Sequence, residues 1–266
     1  MSSVGSGFNR TASLVGSGFS RTVGPVLIVC LLALPTTIHA QRGGRGAAAP
    51  VAPREAAAVD LTGYWVSVVA EDWKFRMVTP KKGVYDSLTL NAEGRRVGDT
   101  WDPAKDEAAK EQCRSYGAAN IMRVPGRVHI TWQDANTLKI ETDAGTQTRL
   151  FHFGATPPPA ESSWQGHSIA QWEFAPGRGN ARNGNLKVVT TNLRPGYVRK
   201  NGAPYSDKTV VTEYYDVNAM PNNDLFMTVT TKVEDPVYFA RQYVTTTDFK
   251  KLPGAAGWNP TPCSAR

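Results

Sequence analysis

The strongest alternation of apolar and polar positions lies in the C-terminal third, in residues 186–193, 209–215, 225–233 and 242–249. Each stretch is rich in β-branched and aromatic residues and is separated from the next by turn-forming residues, which predicts an antiparallel meander. Successive side chains of a strand point to opposite faces, so Met227, Val229, Thr231 and Val233 share one face and Phe226, Thr228, Thr230 and Lys232 the other. A sheet so unequal on its two sides must curl or be covered.

The same period continues upstream. After Gly63, Trp65, Ser67 and Val69 share a face. Residues 127–132 and 137–142 read as strands joined by the polar hairpin loop 133–136. In the strand at 147–153, Arg149, Phe151 and Phe153 alternate with Leu150 and His152, so either Arg149 or His152 faces inward. Pro157, Pro158 and Pro159 divide the strands into two halves, and residues 163–174 form a strand carrying Trp164 and Trp172. Residues 73–77 and 85–90 flank a turn at 80–83. Residues 176–185 are expected to be a mobile hairpin loop, and residues 194–206 a long excursion between strands. Helical patterns are confined to short runs behind the N-caps Asn91 and Asp102, the second with Pro103 in its first turn. The predicted class is therefore all-β, an antiparallel barrel with a few short surface helices.

The pattern fails before residue 60. Arg10 and Arg21 precede an apolar run at 23–34 and an Ile38-His39-Ala40 cleavage site, which predicts a secretory signal peptide over residues 1–40, cut after Ala40, and a secreted or periplasmic protein. The run is too short to predict a stable membrane span. Cys30 raises a lipoprotein reading, but the positions before it are bulky. Residues 41–59, all Ala, Gly, Pro and Arg but for a few, predict a disordered linker, leaving residues 60–266 as a single domain.

The formal net charge of +7 shrinks when divided along the chain. Of 30 basic and 23 acidic residues, the leader holds Arg10 and Arg21, and residues 41–59 hold Arg42, Arg45 and Arg54 against Glu55, which leaves 25 and 22 from Asp60 onward. No Lys/Arg stripe is interleaved with aromatics, so nucleic acid is not an expected partner. The mature chain keeps Cys113 and Cys263, an even pair that reads as a disulfide in an oxidising compartment. Neither lies in a metal-ligand spacing, and His129, His152 and His167 lack one too, so no metal or other cofactor is expected.

The chemistry that remains is a carboxylate in an apolar strand. Glu213, if it faces the interior, needs a counter-charge, and Arg149 is the natural one; with His152 the three are candidate catalytic residues. If Thr212 and Tyr214 face inward instead, Glu213 faces solvent. Glu234 and Asp235 read as turn caps. Trp65, Trp132, Phe151, Trp172 and Tyr214 are the candidate ligand-binding lining of the barrel.

The Gly63-Tyr64-Trp65 opening resembles the first strand of lipocalin-type barrels. Trp164-x-Gly-x-Ser168, Trp172-Glu173, the strand at 186–191, Asn201-Gly-x-Pro-x-Ser206, Val211-Thr-Glu-Tyr-Tyr215 and Val233-Glu-Asp-Pro236 together resemble a large group of secreted bacterial proteins. That resemblance implies export and a lipocalin-like, calycin-type barrel and implies no activity. Residues 194–199 depart from the group's pattern in lacking acidic residues. The expectation is thus a barrel that binds a small, largely apolar molecule. The alternative is an enzyme of lyase, isomerase or hydrolase type using Glu213 with Arg149 or His152. The sequence leaves the oligomeric state open.

Overall fold

The computed structural model describes residues 51–174 and 183–266; the leader, and most of the hairpin loop expected at 176–185, lie outside the described residues. Strands β1 (Gly63–Val68), β2 (Arg127–Trp132), β3 (Thr137–Thr142), β4 (Thr148–Phe153), β5 (His167–Phe174) and β6 (Gly184–Thr191) are followed by a small hairpin, β7 (Gly196–Arg199) and β8 (Ala203–Tyr205). Then come β9 (Val210–Ala219), β10 (Leu225–Glu234) and β11 (Tyr243–Leu252). All but β7 and β8 form one closed barrel in the order β1-β11-β10-β9-β6-β5-β4-β3-β2, with β1 hydrogen-bonded to both β2 and β11.

The barrel is antiparallel at every seam except one: β4 and β5 run parallel, where an antiparallel sheet was expected. Parallel neighbours need a crossover rather than a tight turn. Residues 154–166, with the three prolines, supply it by carrying the chain back along the barrel. The strand predicted from residue 163 begins only at His167, and Trp164 stays outside it.

Alternation behaves as the pattern requires. On β10 Met227, Val229, Thr231 and Val233 are buried, and their partners on β9 are Val217, Tyr215, Glu213 and Val211. The inward set packs into one cluster in which Trp65, Ile130, Ile140, Phe151, Leu186 and Tyr215 have no exposure. At one end of the barrel Trp132, Phe153 and Trp172 gather with ring centroids 5.5–6.5 Å apart. The Trp172 indole donates to the Pro53 carbonyl at 2.8 Å, Arg54 N donates to the Ala135 carbonyl, and Ala58 is buried. Residues 51–59, expected to belong to a disordered linker, are therefore ordered as a plug. Their few apolar groups gain a ready-made apolar surface at the barrel mouth, which composition does not reveal.

The other end carries the cap. Helices α1 (Trp73–Arg76), α2 (Ala92–Gly98) and α3 (Pro103–Ala108), two 3-10 turns at Gln112–Tyr116 and Ile121–Arg123, and the β7–β8 hairpin cover it. Asn91 and Asp102 are the N-caps read from sequence, accepting from Gly94 N at 2.8 Å and Ala104 N at 3.0 Å. Residues 85–90 form no strand and contribute only an isolated bridge, Leu90 with Phe239. The β7–β8 turn needs Gly202: its φ is +81°, and a Cβ there would lie 2.2 Å from Trp101. Asp235 closes β10 as a cap, accepting from Val237 N and Tyr238 N while its other oxygen takes the Thr209 hydroxyl.

Cys113 and Cys263 are joined, with Cα atoms 5.1 Å apart across a sequence separation of 150. The bond ties the C-terminal tail to the cap, where Thr261 N also donates to the Asp143 carbonyl. Closing so long a loop restricts the unfolded chain. The Cys113→Ser/Cys263→Ser double variant should lose about 2–5 kcal/mol of unfolding free energy in urea titrations. An unchanged midpoint would mean that the tail contributes nothing to global stability.

Candidate functional site

Strand parity decides which nominated residues meet. On β9, Val211, Glu213 and Tyr215 point inward and Tyr214 outward; on β4, Arg149 and Phe151 point inward and His152 outward. Arg149 reaches across the interior to Glu213 as a two-armed pair, Nη1 to Oε1 at 2.9 Å and Nη2 to Oε2 at 2.6 Å. Tyr215 donates to Glu213 Oε1 at 3.1 Å, and Arg149 Nη2 donates to Thr190 Oγ1 at 3.3 Å, beside Ser168. Both charged side chains have zero exposure. Burial alone would lower the guanidinium's pKa, but the Glu213 carboxylate and Tyr215 outweigh it and hold Arg149 above its ordinary value. Burial, followed by the Glu213 charge, pushes the Tyr215 phenol well up.

This pair cancels its own charge in a sealed core, with Arg149 Nε left without a hydrogen-bond partner. His152 does not join it. Its ring lies on the outer wall, 5.5 Å from that of His167, and burial together with His167 lowers its pKa. His129 is elsewhere, stacked on Tyr64 at 4.0 Å. The catalytic trio expected from sequence therefore dissolves, because an odd and an even position of one strand cannot face the same way.

The aromatic lining divides in the same manner. Trp65 and Phe151 fill the core, Trp65 donating to the Leu61 carbonyl at 2.9 Å and Phe151 meeting Tyr215 edge-on. Trp132 and Trp172 close the plugged end. Tyr214, expected in the lumen, stands on the outer wall near Lys187, and Tyr215 takes the inward place. Side chains thus occupy the interior positions where an apolar ligand was expected.

Open space with uncompensated chemistry lies instead under the cap. Arg76, Arg123, Arg199 and Lys200, with Phe75, Asn120 and Val198, line a cavity of about 30 Å³. Roughly 10–15 Å³ accommodates one water-sized group, so the space suits two or more oxygens of a small oxyanion. Arg76 comes from α1, Arg123 from the second 3-10 turn, and Arg199 and Lys200 from the end of β7 and its turn. Asp72 takes a left-handed backbone conformation at the N-cap of α1 and binds Arg123 Nη2 at 2.9 Å. Arg76 Nε donates to the Arg123 carbonyl at 2.9 Å, and Arg199 donates to the Asp86 carbonyl at 2.9 Å and to Ser87 Oγ at 3.1 Å.

Of the three guanidiniums only Arg123 is ion-paired, to Asp72. Glu71 accepts from Thr246 N and Oγ1 and acts on Arg76 through its charge, without an ion pair. Arg123 is 5% exposed, yet its Nη1 has no partner, and neither does Arg76 Nη2. Burial first, and then the Arg123 charge, lower Arg76 to about 10; burial also lowers Arg199. In a second cleft, about 210 Å³ between Trp101, Tyr197 and Tyr238, the buried Asp106 is already held by Arg114 and Tyr197, while Trp101 Nε1, Arg114 Nε and Tyr205 Oη lack partners.

None of the four cationic residues was nominated from sequence. The only signal was indirect, the lack of acidic residues at 194–199. No family model, curated protein or solved structure matches this chain.

Breaking the core pair should be costly. Arg149→Met or Glu213→Leu alone should destabilise by about 3–5 kcal/mol, because each strands a buried charge, whereas the double variant should recover most of that loss. Urea titrations of the three variants check this. Additive losses would show that the two charges are not coupled.

Proposed function

We propose that this protein binds a small anionic molecule in the arginine-lined cavity beneath the cap of a lipocalin-like, calycin-type barrel, and that it works outside the cytoplasm. One observation carries the reading: Arg123 is buried with an unpartnered guanidinium nitrogen, in a cavity that Arg76, Arg199 and Lys200 also line. A buried cation without a full set of partners is costly, and a carboxylate, sulfate or phosphate group supplies both the missing charge and the missing acceptors. Arginine's planar fork matches the oxygens of such groups. The leader at residues 1–40 and the Cys113–Cys263 bond support export.

The apolar ligand expected in the lumen is replaced in this reading by an anionic one at the barrel end, since Trp65, Phe151 and Tyr215 fill the middle. Turnover by Glu213, Arg149 and His152 has no support, because the first two are ion-paired to each other and the third faces away. The protein is read as a binder.

Sulfate, whose charge is constant from neutral to alkaline pH, is the probe. In a low-chloride buffer it should raise the melting temperature of the full chain saturably, and calorimetry should give one site. Arg76→Gln and Lys200→Ala, both at partly exposed positions, should each weaken binding about tenfold, the loss of one charge-assisted contact. The pH dependence has a definite sign. The anion favours charged Arg76, so affinity should stay level below pH about 10 and fall as pH rises through it. Unsaturable stabilisation that both variants retain would sink the reading.

A further inference from the structure

The stretch that carries Arg76 into the cavity turns its other side chains outward, and they form an unusual surface. Residues 73–82 read Trp-Lys-Phe-Arg-Met-Val-Thr-Pro-Lys-Lys, with four basic residues and no acidic one. Of the eight large apolar side chains exposed among the described residues, three fall here: Trp73 at 64%, Met77 at 60% and Val78 at 67%. Met77 N donates to the Trp73 carbonyl at 2.8 Å, so these two side chains sit one above the other across a single turn. Lys74 lies between them in sequence, and Lys81 and Lys82 follow, both exposed.

The exposure is not that of a frayed end. Glu71 is fixed to Thr246, Asp72 to Arg123, and Arg76 to the Arg123 carbonyl, while the Arg199 guanidinium packs over the Phe75 ring at 4.4 Å. What remains exposed along residues 73–82 is Trp73, Met77, Val78 and three lysines, on a turn held by these contacts. Single exposed apolar residues need no explanation, but a cluster of them rimmed by one sign of charge marks a contact surface.

We propose that residues 73–82 dock the protein on the surface of an anionic phospholipid bilayer. The chemistry matches that partner at two depths. Trp73 has the amphipathic ring favoured at the headgroup level, and Met77 and Val78 reach the acyl boundary beside it. Lys74, Lys81 and Lys82 meet the negative surface potential of the lipids. Of the acidic side chains nearby, Asp72 is paired with Arg123, while Glu71, bonded to the neutral Thr246, and Asp99, beside Lys82, keep their charge, so the three lysines attract the lipids against that partial opposition. No helix of the described residues is long and apolar enough to cross a membrane, so the contact is peripheral. The inference uses side chains outside the cavity and stands or falls separately from anion binding.

The test is co-sedimentation of the full chain with phosphatidylcholine vesicles and with vesicles that also contain phosphatidylglycerol. Binding should need phosphatidylglycerol and should weaken as salt is raised. Trp73→Ser/Met77→Ser, at exposed positions that leave folding intact, should reduce binding about tenfold or more, and Lys81→Gln/Lys82→Gln likewise. Lys200→Ala, a cavity variant outside residues 73–82, should bind vesicles within about threefold of the parent, the share of one distant charge at most. Tryptophan emission should shift to the blue on binding, and less so in Trp73→Phe. Equal binding to both vesicle types, or full binding by the Trp73/Met77 variant, overturns the proposal. So does a concentration-dependent dimer that this variant abolishes, which would assign the patch to a second copy of the chain.

Discussion

A sheet that closes on itself loses its edges but keeps two open ends, and sealing those ends is the constraint that shapes this protein. One end is stopped with apolar matter: Trp132, Phe153 and Trp172 under the segment around Pro53. The other is stopped with polar matter. Arg149, Glu213, Thr190 and Ser168 form a hydrogen-bonded layer inside the barrel, and the cap lies over it. Between the two ends the interior is packed among the described residues, and the arginine-lined cavity lies where cap and barrel meet.

The two groups of arginines illustrate one rule with opposite outcomes. Arg149 is more deeply buried than any cap arginine, yet it is electrically silent because Glu213 meets it with both oxygens. Arg76, Arg123 and Arg199 are less deeply placed, only Arg123 among them is ion-paired, and burial lowers the pKa values of Arg76 and Arg199. Burial alone therefore does not mark a functional charge. Burial without compensation does, because the missing partner is what a ligand provides.

The cap also links the two surfaces on which a partner can act. Its one-turn helix faces the cavity with Phe75 and Arg76 and faces outward with Trp73 and Met77. The same anchors, Asp72 to Arg123 and Arg76 to the Arg123 carbonyl, hold both faces. A loop tied down by the disulfide and by buried guanidiniums keeps both surfaces preorganised, which lowers the ordering cost of binding at either.

Local chemistry was enough to reveal much of this. Period-two alternation marked all four strands of the meander, the 127–142 hairpin and the strand containing Arg149, because every barrel strand has one buried face. Asn91 and Asp102 marked helix starts because capping is a contact within three residues, and the parity of the cysteines marked the disulfide. What depended on distance was not legible. Whether Tyr214 or Tyr215 faces inward is a one-residue question that only the register against β6 and β10 decides. The parallel seam, the ordering of residues 51–59 and the conversion of residues 73–76 from an extended flank to a helical turn follow from surfaces supplied by other strands. The cavity is the extreme case: Arg76 and Arg123 are 47 residues apart and come from elements with no shared periodicity. Sequence alone determined the strands and their two unlike faces; only the closed barrel and its cap decided which face turned inward and which buried charges found partners, because that is settled by packing between distant segments.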